Sequence, residues 1–138
     1  MTEKLPTAGD VIHYPYLWQR EDIAGETEGR KNRPVCVAVL LPVKEVHFIY
    51  LLAITSKRPF ANQVAIEIPE LEMKRAGLDW DSPSWIIINE WNKDDVKESY
   101  YLDRSEAKLG ALSPSFLKKV QRAFREVVVQ RLGQVDRS

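Results

Sequence analysis

One cysteine, Cys36, is all the chain has, so a disulfide framework and a multi-cysteine metal site are both excluded. The two histidines, His13 and His47, stand far apart and in no ligand pattern. There is no glycine-rich loop of the kinds that cradle phosphates and no nucleophile-elbow serine. If the protein is an enzyme, these gaps predict one that needs neither metal nor cofactor. No stretch approaches the roughly 18 apolar residues of a membrane span. The opening MTEKLPTAGD has no apolar signal region, so the expected compartment is the cytoplasm. Neither sign of charge is in excess, with Lys+Arg 20 against Asp+Glu 20. That balance argues against gripping long duplex DNA through an overall field. It leaves room for a short nucleic-acid substrate in a local basic cleft.

What is present fits one globular domain. The 138 residues are 44% hydrophobic and 29% charged, enough to bury a core without staples. Strands come first and one helix comes last. Gly9 to Tyr14 reads as a short opening strand. Pro15 to Asn32 is polar, carries Gly25 and Gly29, and reads as a long loop of the length that is usually functional or disordered. Arg33-Pro34 opens a β-branched run to Val43, the pattern of a strand covered on both faces. Cys36 lies inside that run and reads as a buried structural thiol. A tight turn is expected at Pro42-Val43-Lys44, followed by a strand over Glu45 to Thr55. Gln63 to Ile68 alternates, which points Val64, Ile66 and Ile68 inward. Pro69 to Ala76, closed by Gly77, predicts a short helix. Trp85 to Trp91 reads as a further strand and Tyr100 to Asp103 as an edge strand.

Ser113-Pro114 is a helix start, with a Ser cap and Pro at the first helical position. The helix is expected to run to about residue 132. Phe116, Leu117, Val120, Phe124, Val127 and Val128 share an arc of about 120°. Lys118, Lys119, Arg122, Arg125 and Glu126 face the other way, and a solvated face is the ordinary reading of such a run. Gly133 to Ser138 is expected to fray. Short strands with a single packing helix predict a mainly β fold, a strongly bent sheet or small barrel.

Three local features offer chemistry. Arg33 joins the polar loop to a strong strand, a place that can hold an anion or simply let a strand-end charge reach water. Thr55-Ser56-Lys57-Arg58 puts two hydroxyls and two cations in a row, either phosphate donors or a polar turn. His13 is either an acid or base near neutral pH or a strand histidine satisfied by hydrogen bonds. Tyr14, Tyr16 and Trp18, with Trp80, Trp85 and Trp91 later, either stack unpaired bases alongside Arg20, Arg30 and Arg33 or pack in the core.

The ordered set GDVIHY, GETEGRKNRPVCVAVL and LLAITS resembles the PemK/MazF toxin family of bacterial toxin–antitoxin modules. In this chain the matching positions are Gly9-Asp10, Gly25 to Gly29, Arg33-Pro34 and Thr55-Ser56. The later Gly-Leu-x-x-x-Ser-x-Trp-Ile segment and the closing helix also fit, so the likeness spans roughly residues 9–132. It implies a small SH3-like, CcdB-type β-barrel and a two-fold homodimer. It also implies a metal-independent endoribonuclease that cuts single-stranded RNA by 2′-hydroxyl attack, leaving a cyclic phosphate. A cognate acidic antitoxin would be its protein partner. Arg33 and Thr55 match the family's catalytic arginine and threonine. Ser56, Lys57, Arg30, Lys31 and Glu28 would bind substrate.

Two departures stand out. The loop before Gly25 carries an inserted YLWQREDIA, and the late strand has Asn89 and Asn92 where family members have an acid and an arginine. The proton acceptor is therefore open among Glu26, Glu28, Glu90 and His13. Two other readings remain: a toxin-fold protein directed at a protein target, as gyrase-directed relatives are, and a non-catalytic module that binds an antitoxin or nucleic acid.

Overall fold

A computed structural model describes residues 5–20, 32–99, 101–103, 106–129 and 134–138. Its elements in chain order are β1 (Asp10–Tyr14), β2 (Arg33–Val43), β3 (Val46–Thr55), β4 (Ala65–Glu67), α1 (Glu70–Arg75), β5 (Trp85–Ile87), β6 (Trp91–Asp95), β7 (Gly110–Ala111), α2 (Pro114–Val128) and β8 (Gln134–Asp136). The strands form an open, curled half-barrel sheet, mainly antiparallel, in the order β4-β5-β3-β2-β1-β7. The chain is thus mainly β with a C-terminal helix, as the pattern predicts. Among the described residues no helix is long and apolar enough to cross a membrane.

The β2–β3 hairpin is the spine. Its alternation sorts Cys36, Ala38, Leu52 and Ile54 to one core and Val35, Val37, Leu51 and Ala53 to the other. Both faces are covered, which is why this part of β2 is continuously apolar. Burial pushes the Cys36 thiol up to about 12, so it stays protonated and serves as core volume. At Ala38 the register shifts, since Val37 pairs with Leu51 but Val39 with Tyr50. This bulge frees the Ala38 carbonyl from the ladder, and Gln121 of α2 donates its Nε2–H to it at 2.8 Å. The hairpin closes at Lys44-Glu45, with Lys44 at φ 58°. Pro42 and Val43, expected in the turn, are paired strand residues instead.

Helix α2 begins as expected: Ser113 Oγ accepts the Phe116 N–H at 3.3 Å and Pro114 opens the helix. Phe116, Val120 and Phe124 drop into the first core, where Phe124 meets Trp91 edge to face at 5.1 Å. The helix ends at Val128, and residues 130–133 lie outside the described residues.

Four expectations are corrected. Residues 134–136 do not fray: they form β8, parallel to β6, with Val135 buried. The open edge of β6 supplies the ladder that these few residues could not form alone. Trp85 to Trp91 is two strands, because β5 pairs with the end of β3 and β6 with its first half. Between them Asn89 leaves the ladder and bridges two backbone groups, accepting from Val64 N–H and donating to Asn62 O, both at 2.9 Å. Val64, expected inward, is exposed, and only Ile68 of its set is fully buried. Residues 101–103 form no strand; Tyr101 and Leu102 pack against the second core, and Tyr100 lies outside the described residues.

The start of the expected loop is also core. Tyr16, Leu17 and Trp18 are buried. The fully buried Asn92 amide accepts the Leu17 N–H at 2.9 Å and donates to the Leu17 carbonyl at 2.8 Å. A side chain thus supplies the pairing that a neighbouring strand would otherwise give.

Candidate functional site

The β2–β3 pairing decides where the site lies. Val35 sits opposite Ala53 and Cys36 opposite Leu52. Arg33 begins β2 and Thr55 ends β3, so both lie at this end of the hairpin. The chain then runs out of the sheet through Ser56, Lys57 and Arg58. These ends frame a cleft of about 510 Å³. Arg33, Pro34 and Asn32 line one side, Thr55 to Arg58 and Phe60 another, and Ile54 and Leu78 its apolar surface. Trp18 and Arg20 complete it, with Asp79, Ser82 and Ser84 also contributing. Among the described lining residues four are cations and one, Asp79, is a carboxylate. A chain of zero net charge has therefore gathered a local positive cleft, the arrangement that concentrates an anion without an overall field.

Aromatic and cationic groups interleave here. The Arg33 guanidinium lies 5.1 Å from the Trp18 ring centroid, and Arg20 lies 4.9 Å from it. Arg20 is also 5.7 Å from the Phe60 ring. Trp18 meets Tyr16 edge to face at 5.1 Å. A cation over an aromatic face is attracted by the ring quadrupole, which helps hold both guanidinium groups at the cleft.

Beneath Trp18 the support is polar. Glu90 accepts the Gln19 N–H at 2.9 Å and the Tyr16 hydroxyl at 3.3 Å. Burial first, and the Glu90 carboxylate second, push the Tyr16 phenol well above its usual range, while Arg33 pulls the other way. Tyr16 therefore stays a neutral donor to Glu90. Tyr14 is held similarly: burial and Asp94 raise its phenol, which donates to Asp94 at 2.7 Å.

Thr55 is half-buried, and its Oγ1 accepts the Lys57 N–H at 3.0 Å. That bond fixes the turn and leaves the hydroxyl proton to donate into the cleft. Ser56 and Lys57 are exposed beside it.

The structure thus brings together Arg33, Thr55, Ser56 and Lys57. It does not bring Glu90 or His13 to the cleft surface. Glu90 braces the segment carrying Trp18, and His13 points to Glu106, Nδ1 to Oε1 3.0 Å. Arg30, Lys31, Glu26 and Glu28 lie outside the described residues. Of the six aromatic residues singled out in the sequence, Trp18 alone lines the cleft. Trp91 is core, Trp85 half-buried, and Trp80 lies at the surface under Lys74 at 5.1 Å. Sequence reasoning missed Phe60. Its signal was an aromatic placed directly after two cations and a proline, with no alternating pattern to bury it.

Chemically, the arrangement can hold a phosphate between Arg33 and the Thr55-Ser56 hydroxyls, with flat surfaces nearby for a base. Among the described residues no group of His, Cys, Asp and Glu is placed to hold a metal ion. No protein-family model, curated protein or solved structure matches the chain.

Proposed function

We propose that this protein is the toxin of a toxin–antitoxin module, an endoribonuclease of the PemK/MazF kind that cuts single-stranded RNA without a metal ion. On this reading the curled sheet is that family's SH3-like, CcdB-type barrel, working in the cytoplasm. The observation that carries it is that Arg33, at the start of β2, and Thr55, at the end of β3, line one cleft. The two residues lie 22 positions apart in sequence. They match the family pattern independently, yet meet where a phosphate needs both.

The reaction has simple requirements. The ribose 2′-oxygen attacks the adjacent phosphorus, the bond to the 5′-oxygen breaks, and a cyclic phosphate and a free 5′-hydroxyl result. One proton leaves the 2′-hydroxyl and one reaches the departing oxygen. Between these events extra negative charge sits on the phosphoryl oxygens. Arg33, braced on Trp18, offers two N–H groups to that charge. Thr55 and Ser56 offer hydroxyl donors on the opposite strand. The apolar surface of Ile54 and Leu78 lowers the local dielectric, which strengthens each of these contacts.

Incubating the purified protein with mixed-sequence single-stranded RNA in EDTA tests this reading. Products ending in cyclic phosphate are expected. Intact RNA would instead favour a module that binds without cutting. That second reading draws on two of the four candidates for proton transfer: Glu90 and His13 do not line the cleft, while Glu26 and Glu28 lie outside the described residues.

An acidic antitoxin segment covering this cationic cleft is the partner this reading implies. A homodimer is implied by the resemblance. Trp91 and Ile86 to Ile88 are buried within the chain and leave no apolar surface of their own for it.

A further inference from the structure

A guanidinium occupies a position in this cleft that suits a flat ring. Arg20 touches two aromatic rings at once, Trp18 at 4.9 Å and Phe60 at 5.7 Å from their centroids. The two rings are therefore close enough for one planar group to contact both. Trp18 lines the cleft yet is only 5% exposed, and among the described residues Arg33 and Arg20 lie over its ring. These covers differ in kind. Arg33 belongs to β2 and sits in a paired strand. Arg20 follows Gln19, whose N–H is held by Glu90, and its own side chain is exposed. Arg20 is the cover that can move without disturbing the sheet.

Phe60 is held out on purpose-built backbone. Its N–H donates to Gln63 Oε1 at 2.8 Å, and its carbonyl accepts from Gln63 N–H at 2.9 Å. This closed turn leaves the ring 59% exposed at the cleft, whose lining also holds cations and hydroxyls. An aromatic ring in that position buries little apolar area within the chain itself. It is well placed to bury some against a ligand.

We infer that Trp18 and Phe60 form a subsite for one unpaired nucleobase of a single-stranded nucleic acid, and that Arg20 fills this subsite until the base enters. The inference rests on the cleft being a nucleic-acid site, as proposed above. A guanidinium and a nucleobase are both planar and both stack on aromatic faces, so one can replace the other. The released Arg20 then lies beside the incoming strand, where its charge meets a phosphate. Because every base offers a π-face, the subsite contributes affinity without strong base preference.

The test uses the full chain and two short 2′-deoxy oligonucleotides of equal length, one of mixed sequence and one abasic throughout. Neither can be cleaved by 2′-hydroxyl attack, so binding is read apart from chemistry. Anisotropy titration is expected to give about tenfold tighter binding of the base-bearing strand, the size of one base stack. Phe60→Ala should remove most of that ratio and leave abasic binding within about twofold, with an unchanged thermal midpoint, since one exposed ring is lost from the surface. Arg20→Ala should weaken abasic binding while the ratio holds or rises, because the competitor for the stack is gone. Equal binding of both strands by the wild type, no binding of either, or an unchanged ratio in Phe60→Ala would overturn the inference. A protein that passes this test but leaves RNA intact keeps the subsite and loses only the nuclease reading. One that cuts RNA but binds both strands equally loses only the subsite.

Discussion

Asn92 and Leu17 are joined by two hydrogen bonds, Leu17 N–H to Oδ1 at 2.9 Å and Nδ2–H to the Leu17 carbonyl at 2.8 Å. This pairing sets the height of the Tyr16–Trp18 segment over the sheet, and Trp18 in turn forms part of the cleft. The family resemblance places an arginine at position 92. In this chain the asparagine there is a structural support.

Replacing Asn92 by Ala should therefore strand a buried N–H and a buried carbonyl. The expected loss is about 2–4 kcal/mol, one desolvation penalty for each group. Denaturant unfolding of wild type and Asn92→Ala reads it directly. Asn92→Asp should also destabilise, because it keeps the acceptor but sets a charge in a fully buried position. A loss under about 0.5 kcal/mol in Asn92→Ala would mean the Leu17 backbone is satisfied some other way.

Gly110 lies against the end of α1. A Cβ added there would overlap the Arg75 carbonyl oxygen and stand 2.6 Å from the Ala76 carbonyl carbon. Both neighbours are backbone and cannot swing aside. Gly110→Ala should cost about 2–3 kcal/mol or more by overpacking. Its thermal midpoint should fall by several degrees, with the cleft residues untouched. An unchanged midpoint would show that β7 and α1 separate freely.

Glu72 gives the fold an acid-sensitive joint. Burial raises its carboxyl, but the Ser113 hydroxyl and N–H and the Arg75 guanidinium outweigh that and hold it below its usual value. Ser113 N–H donates to Oε1 at 2.9 Å and Ser113 Oγ to Oε2 at 2.6 Å. A carboxyl depressed in the folded state adds stability above its unfolded pKa, about 4.3, and loses it as pH falls through the folded value. The wild type should thus lose stability below about pH 4.3 more steeply than Glu72→Gln. Parallel melting curves against pH for the two proteins would contradict this.

The readable parts of the fold were those with a strong period. β2, β3 and α2 each carry enough alternating or helical apolar residues to declare their own faces. Arg33 and Thr55 stood out because one opens such an element and the other ends one. What escaped depends on partners distant in sequence. β8 is three residues long and exists only because β6 offers an edge. Asn89 and Asn92 read as polar positions in a strand, and their work is visible only once residues 62–64 and Leu17 lie beside them. Phe60 went unnoticed, since nothing local says that Arg20 will reach it. Glu90 read as the nearest carboxylate to the chemistry, yet the Gln19 N–H and the Tyr16 hydroxyl claim it for support.

On the proposed function, Arg33 stabilises the charge on a phosphate being cleaved. Its guanidinium is held against Trp18 at 5.1 Å, in a cleft that Thr55 also lines. The direct measurement is the rate of single-stranded RNA cleavage in EDTA by wild type, Arg33→Ala and Arg33→Lys, with thermal midpoints alongside. Arg33→Ala should cut about 10²–10³ more slowly, with a stability loss of about 1 kcal/mol or less from the lost ring contact. Arg33→Lys should recover part of the rate, because an ammonium keeps the charge but not the two-pronged contact. Undiminished cleavage by Arg33→Ala, with the wild type active, would contradict the account.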